Sequence, residues 1–211
     1  HLNVLFAVDR AGIVGADGAT HTGNFDLSFC RCIPNMLIMT PANTDDLFAL
    51  LNTGFDYDGP ALVRYPRDNC IKTDLINTSK SIPIAQSELI HDGKNIAILV
   101  FGPFLKIATE LSEQFDCTVI NMRFVKPLDE QRLIELSKNH SHFFCLEDNA
   151  ESGGAGSAVN EFLSQHDLNV KCSLNGLKDS FPEQGTRDQV LQQNKLDIEQ
   201  LSDRIKSIIN S

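Results

Sequence analysis

The chain is organised around residues 9–26, which read DRAGIVGADGATHTGNFD. This stretch follows an unbroken apolar run from Val4 to Val8, which is typical of a buried strand. Four glycines lie between Gly12 and Gly23, and each would cost a helix about 1 kcal/mol relative to alanine. The stretch therefore predicts a loop that leaves a buried strand and can approach a ligand closely.

Three polar side chains of different chemistry lie in this loop: a guanidinium (Arg10), a carboxylate (Asp17) and an imidazole (His21). In open α/β sheets, ligands bind beyond the carboxyl ends of the strands. Long loops that carry several polar groups are also often functional. The loop is therefore a candidate site, and a surface turn with solvated charges is the alternative.

The whole chain alternates apolar runs with helical periodicity, which predicts an α/β fold. After the first strand, we expect strands over 36–40, 60–65, 95–101, 117–121, 142–146 and 170–174. We expect helices over 25–33 (with Thr22 or Asn24 as the cap), 41–54, 103–115, 129–138, 153–163 and 198–209. Residues 68–93 are polar and predict a linker that runs into a hairpin near 91–93. Two domains follow, one over residues 1–80 and one over 81–211.

Composition excludes several classes of protein. The formal net charge of −10 argues against nucleic acid as a partner. No apolar run approaches 18 residues, so we expect no membrane span. The six cysteines lack zinc-site spacing and are expected to be free thiols, with Cys117 and Cys145 in the core.

A second cation, Arg67, follows the predicted strand 60–65. Neighbouring parallel strands end at the same edge of a sheet, so Arg67 is expected to face the same crevice as Arg10. Guanidinium groups bind phosphate oxygens bidentately, which makes both arginines phosphate candidates. Surface ion pairs with Asp9 or Asp68 are the alternative.

The pair Asp17 and His21 is the candidate for acid–base chemistry. A neutral imidazole titrates near physiological pH and can donate or accept a proton. A nearby carboxylate can orient the imidazole or bind a substrate hydroxyl. Because Gly18 disfavours a helix, the loop itself must fold to bring the two side chains together. An idle ring at a helix start is the alternative for His21.

The loop motif DRAGIVGADG-x-TH-x-G-x-FDLS resembles that of the 1-deoxy-D-xylulose-5-phosphate synthases, which are transketolase-like, thiamine-diphosphate-dependent enzymes. The resemblance covers essentially the whole chain in order. It continues through RCIP at 31–34, MTP at 39–41, RYPR at 64–67, MRFVKPLD at 122–129 and GGAGS at 153–157.

This resemblance implies the C-terminal half of a thiamine-enzyme pyrimidine-binding domain, followed by a transketolase C-terminal domain. It implies that Arg10 and Arg67 hold the phosphate of glyceraldehyde 3-phosphate, and that Asp17 and His21 contact the bound intermediate and the acceptor. Pyruvate is the implied second substrate. A homodimer in the cytoplasm, or in the plastid stroma of a eukaryote, is also implied.

The family requires thiamine diphosphate and Mg²⁺, but we expect no cofactor-binding or metal residue in this chain. Residues 15–18 with Asn43 differ from the Gly-Asp-Gly…Asn signature, because Ala16 replaces its first glycine and Asn43 is better used as a helix cap. We therefore expect the chain to be the C-terminal part of a longer polypeptide, produced by truncation, proteolysis or nicking, and inactive alone. Its first strand would then expose an unpaired edge and apolar faces.

Two alternatives to this interpretation are retained. One is the small subunit of a two-chain thiamine enzyme of the transketolase or 2-oxoacid dehydrogenase β type. The other is a dimerisation module without catalytic function.

The glycine cluster at 153–156 follows three acidic residues and begins a predicted helix. The N-terminus of a helix can bind an anion, but the preceding acids oppose it. We expect these glycines to allow close packing of the helix on a strand.

Overall fold

The computed structural model describes residues 2–67 and 80–210. Its strands and helices alternate along the chain, as the sequence predicts. The strands are β1 (Leu5–Val8), β2 (Leu37–Met39), β3 (Ala61–Arg64), β4 (Glu88–His91), β5 (Ala97–Phe101), β6 (Thr118–Asn121), β7 (Phe124–Lys126), β8 (His142–Ala150) and β9 (Lys171–Leu177). The α-helices are α1 (Asp26–Cys30), α2 (Thr44–Asp56), α3 (Leu105–Phe115), α4 (Glu130–Ser137), α5 (Ala155–Gln165), α6 (Arg187–Gln193) and α7 (Ile198–Ile209).

The first sheet has the order β1-β3-β2-β7. Strand β3 pairs in parallel with both β1 and β2, and helix α2 connects β2 to β3. The side chain of Asn43 caps α2 by accepting a hydrogen bond from the amide of Asp46 at 2.9 Å. The carboxyl ends of β1 and β3 therefore meet at one edge of the sheet, where the candidate loop begins.

Strand β1 differs from its prediction as a buried strand. It is an edge strand, and the exposed fraction of Phe6 is 46%. Phe6 lines an apolar groove of about 270 Å³ together with Phe29, Ile33 and Met36. Among the described residues, no strand pairs with the outer edge of β1, and apolar side chains lie exposed beside it.

The second sheet has the order β4-β6-β5-β8-β9. Strands β6, β5, β8 and β9 are parallel, and β4 is antiparallel to β6. Apolar side chains pack on both faces of this sheet, including Leu99 on one face and Ile98 on the other. The cysteines Cys117 and Cys145 are fully buried, as predicted.

Several local predictions are wrong. The hairpin near residue 91 does not form, because β4 pairs with β6 rather than with β5. Helix α1 has no side-chain cap from Thr22 or Asn24, and Phe25 occupies its N-cap position. Helix α2 continues past residue 54 to Asp56. Within the predicted linker, residues 68–79 lie outside the described residues.

The sequence analysis also missed two described elements. Strand β7 has only three residues and pairs antiparallel with β2, which lies more than eighty positions earlier in the chain. Helix α6 begins with a capping box between Thr186 and Gln189. Because β7 lies beyond residue 81, the first sheet includes one strand from the second half of the chain.

Candidate acceptor site at the edge of the first sheet

The loop begins where β1 and β3 end together. The amide of Ala11 donates a hydrogen bond to the carbonyl of Tyr65 at 3.0 Å. Arg10 follows β1 and Arg67 follows β3, so the parallel pairing carries both arginines to the same edge. Arg10 adopts a left-handed backbone with φ 53°, a conformation that non-glycine residues keep only where the surroundings impose it.

Glycines shape the loop, as its sequence predicts. Gly12, Gly15 and Gly18 have φ between 64° and 72°, a region that glycine populates without steric cost. Two short 3₁₀ turns, Gly15–Asp17 and Ala19–His21, meet at Gly18. These consecutive turns bring Asp17 and His21 close together without a continuous helix.

Asp17 lies between the two arginines. Its Oδ2 atom accepts a hydrogen bond from Arg67 Nη1 at 2.5 Å and lies 3.8 Å from Arg10 Nε. The hydrogen bond from Arg67 lowers the pKa of Asp17 below its ordinary value. Electrostatic interactions with Arg67, His21 and Arg10 act in the same direction, and desolvation opposes them. The four candidate side chains therefore lie near one another.

The cluster is accessible to a solute. The exposed fractions of the Arg67, Arg10 and Asp17 side chains are 60%, 44% and 26%. His21 is also exposed, and its Nδ1 atom lies 2.9 Å from the hydroxyl of Thr20. Arg10 also contacts Asp9 at 2.8 Å, so one of the surface ion pairs proposed as the alternative is present.

The second half of the chain holds the loop from the other side. Ile13 is buried in the core beside the second sheet. Gln184 donates a hydrogen bond to the carbonyl of Ala16 at 2.7 Å, and the amide of Gly185 donates to the carbonyl of Gly15 at 3.4 Å. Both halves of the chain therefore determine the position of the loop.

Sequence reasoning missed two charged residues beneath this loop, Arg64 and Asp148. Arg64 is 2% exposed, and its Nη1 atom donates a hydrogen bond to Asp148 Oδ1 at 2.6 Å. Arg64 lies within the apolar, strand-forming segment 60–65. That position was the available signal, because buried charges must be paired or hydrogen-bonded. Asp148 lies between Glu147 and Asn149 and gave no comparable signal.

The second glycine cluster packs as expected, and its helix start is already occupied. A β-carbon at Gly156 would lie 2.7 Å from the Leu174 side chain and 3.1 Å from Cys145. Glu147 accepts hydrogen bonds from the amides of Ala155 and Gly156 at 2.7 and 2.8 Å. The carboxyl group of Glu147 therefore fills the place where an external anion could bind.

Glu147 predicts a pH-dependent stability. Burial raises the pKa of this carboxyl to about 8, although the two amides favour its ionised form. The folded state then keeps a proton that the unfolded state loses above about pH 4.5, so stability falls with rising pH by up to about 1.4 kcal/mol per unit until about pH 8. Denaturant unfolding at several pH values should show a smaller slope for Glu147→Gln than for wild type. The exposed Glu113→Gln control should keep the wild-type slope, and equal slopes for all three proteins would contradict the assignment.

The described residues do not form a metal centre. Among residues 2–67 and 80–210, no group of three or more His, Cys, Asp or Glu side chains could hold a metal ion. Asn43 is used as the cap of α2. No helix within these ranges is long and apolar enough to cross a bilayer.

Two family models match the chain. The model of the transketolase C-terminal domain matches residues 85–201, and that of the transketolase pyrimidine-binding domain matches residues 1–72.

Similar proteins share a name. A 1-deoxy-D-xylulose-5-phosphate synthase of Histophilus somni (strain 2336) is 51% identical over 209 residues, which cover 99% of this chain and 34% of that protein. A 1-deoxy-D-xylulose-5-phosphate synthase of Francisella tularensis subsp. novicida (strain U112) is 47% identical over 211 residues, which cover 99% of this chain and 34% of that protein. The chain thus spans about a third of the length of these curated relatives.

Solved structures support the fold. A split-gene transketolase, described as an inactive β4 tetramer, superposes with a TM-score of 0.87 at 24% identity, covering 99% of this chain and 68% of that chain. A transketolase from Campylobacter jejuni superposes with a TM-score of 0.69 at 19% identity. The superposition covers 96% of this chain and 31% of that chain.

Proposed function

Because this chain belongs to the transketolase family, we propose that it is the C-terminal part of a 1-deoxy-D-xylulose-5-phosphate synthase. The whole enzyme would decarboxylate pyruvate and join the remaining two-carbon unit to glyceraldehyde 3-phosphate. Its product would serve as a precursor of isoprenoids, thiamine and pyridoxal. In this proposal the domains cover residues 1–80 and 81–211.

The observation that carries the proposal is the meeting of Arg10 and Arg67 at one carboxylate. Two guanidinium groups lie at the ends of neighbouring strands and both face Asp17. A phosphate monoester offers several anionic oxygens to such a pair, and bidentate pairing fixes its orientation as well as its position. The site therefore favours a small phosphorylated acceptor.

Each side chain has a role in this proposal. Arg10 and Arg67 bind the phosphate and so position the aldehyde carbon of the acceptor. Asp17 keeps the two guanidinium groups together while the site is empty, and can accept a hydrogen bond from an acceptor hydroxyl. His21 donates a proton to the carbonyl oxygen of the acceptor as the new carbon–carbon bond forms, which is general acid catalysis.

The cofactors are assigned to the rest of the enzyme. Thiamine diphosphate would supply the carbanion equivalent, and Mg²⁺ would hold its diphosphate. Asn43 caps α2, and no group of His, Cys, Asp or Glu side chains among the described residues could hold a metal ion. We propose that the chain requires its upstream portion for activity.

The outer edge of β1, with which no strand pairs in the part of the chain that the structure describes, supports this requirement. The edge strand and the apolar groove beside it expose Phe6, Phe29 and Ile33 to solvent. An unpaired strand edge next to an apolar groove is typical of an interaction surface. We propose that the upstream portion covers it, and that the complete enzyme is a cytoplasmic homodimer.

A two-chain enzyme is the second candidate. The similarity to a split-gene transketolase, 68% of which this chain covers, favours it. In that case a separate partner chain would supply the cofactor-binding residues. A dimerisation module without catalytic function would not explain why Arg10 and Arg67 both lie next to Asp17.

The test is product formation by the complete enzyme. Purified full-length protein is expected to convert pyruvate and glyceraldehyde 3-phosphate into 1-deoxy-D-xylulose 5-phosphate, with dependence on thiamine diphosphate and Mg²⁺. Residues 1–211 alone are expected to form none. Formation of a different product by the full-length protein, or none at all, would refute the proposal.

A further inference from the structure

The base of the loop is closed by a pair of glycines. The amide of Gly12 donates to the carbonyl of Gly23 at 3.1 Å, and the amide of Gly23 donates to the carbonyl of Gly12 at 3.2 Å. Both Asp17 and His21 lie between these two positions. We call this reciprocal pairing of Gly12 and Gly23 the neck of the loop.

Arg64 holds the neck from below. Its Nη2 atom donates to the carbonyl of Gly23 at 2.6 Å, and its Nε atom donates to Asp26 Oδ2 at 3.3 Å. The same guanidinium donates to the carboxylate and to the backbone carbonyl of Asp148, at 2.6 and 3.1 Å. One side chain of β3 therefore joins the neck to β8 of the second sheet.

Asp148 contacts the neck from its other side. It is fully buried, and a β-carbon at Gly12 would overlap its carboxylate. Its Oδ2 atom has no hydrogen-bond partner among the described residues. The carboxylate thus uses one oxygen for Arg64 and places the other against the backbone of the neck.

A buried ion pair is a poor source of stability, because desolvation offsets its electrostatic attraction. Such pairs are instead suited to fixing one arrangement of the chain, since leaving one buried charge unpaired is strongly destabilising. The residues that this pair holds in place are those of the neck. A binding group that is misplaced by about 1 Å can lower the reaction rate by about a hundredfold.

We propose that Arg64 and Asp148 are positioning residues. By linking the neck of the loop to the second sheet, they fix the position of the acceptor site at the edge of the first sheet. This inference rests on the proposed function, because it assigns the position of Asp17 and His21 to a contact between the two halves of the chain. Neither Arg64 nor Asp148 needs to touch the substrate.

The chain provides a matched control. Arg123 donates to Asp46 at 2.9 Å, which also joins the first half of the chain to the second. Asp46 is 3% exposed, and the Arg123 side chain is 15% exposed. No described contact of this pair involves residues 12–23.

The experiment compares Arg64→Lys and Asp148→Asn with Arg123→Lys and Asp46→Asn in the full-length enzyme. Hydrogen–deuterium exchange of residues 12–23 is measured together with kcat/KM and KM for each substrate. The variants at 64 and 148 are expected to exchange about tenfold faster in the loop and to lower kcat/KM for glyceraldehyde 3-phosphate about tenfold, with the KM for pyruvate unchanged. The variants at 123 and 46 are expected to change none of these quantities.

Unchanged loop exchange in both Arg64→Lys and Asp148→Asn would overturn the inference, as would equal changes in the control pair. If one variant does not fold, the other member of the same pair decides. If wild-type enzyme forms no product, the proposed function fails, while the exchange measurement still decides whether Arg64 and Asp148 hold the neck.

Discussion

Replacing Arg67 by alanine in the full-length enzyme is expected to lower kcat/KM for glyceraldehyde 3-phosphate by about a hundredfold or more. The guanidinium can make two charge-assisted hydrogen bonds to a phosphate, each worth about 1.5–3 kcal/mol, and every 1.4 kcal/mol corresponds to a factor of about ten. The loss should appear mainly as a higher KM for the phosphorylated aldehyde. The KM for pyruvate should stay within about twofold of wild type, because pyruvate carries no phosphate.

Arg132→Ala is the matched control for this prediction. Arg132 lies in α4 and pairs with Glu135 at 3.5 Å, and no described contact joins it to the loop. It should leave both KM values unchanged. Equal increases of both KM values in Arg67→Ala would contradict the phosphate assignment.

His21→Asn is expected to lower kcat by at least about a hundredfold, the lower end of the range for general acid–base catalysis. Asparagine keeps a polar side chain of similar size that can bond to Thr20, but it cannot transfer a proton near neutral pH. The variant should retain the KM for glyceraldehyde 3-phosphate, because both arginines remain.

The exposed His166, at the end of α5, provides the control, and His166→Asn should behave as wild type. A His21→Asn enzyme with wild-type kcat would show that the imidazole transfers no proton. In that case His21 would at most contact the acceptor.

Elements with a strong local signal could be predicted from the sequence. Helix α7 occupies its predicted residues, 198–209, because one apolar face repeats at helical spacing. Helix α2 begins where Asn43 caps it and two acidic residues follow. The site could be predicted from the topology, because neighbouring parallel strands end at the same edge of a sheet. This arrangement brings Arg10 and Arg67 together.

Elements that depend on distant partners could not be predicted. Strand β7 has three residues, too few for a period to appear, and forms because β2 offers an edge. The turn residues near 91–93 predicted a hairpin, whereas the actual partner of β4 is β6. Such pairings depend on the order of strands in the finished sheet, which local propensity does not encode.

The network beneath the loop was missed for a related reason. Arg64 and Asp148 are separated by 84 positions in the chain and meet only after both sheets have formed. Arg64 lies in the apolar segment 60–65, and a charged residue that is buried there needs a partner. The sequence alone does not identify that partner as Asp148 rather than a nearer acid.

Selection of a phosphorylated acceptor is the central role proposed for Arg10 and Arg67. The direct measurement is the ratio of kcat/KM for glyceraldehyde 3-phosphate to kcat/KM for unphosphorylated glyceraldehyde, in wild type and in the double variant Arg10→Gln/Arg67→Gln. We expect the ratio to fall by about a thousandfold or more in the double variant, because both charge-assisted contacts are lost. A double variant that keeps the wild-type ratio would contradict the acceptor site described above.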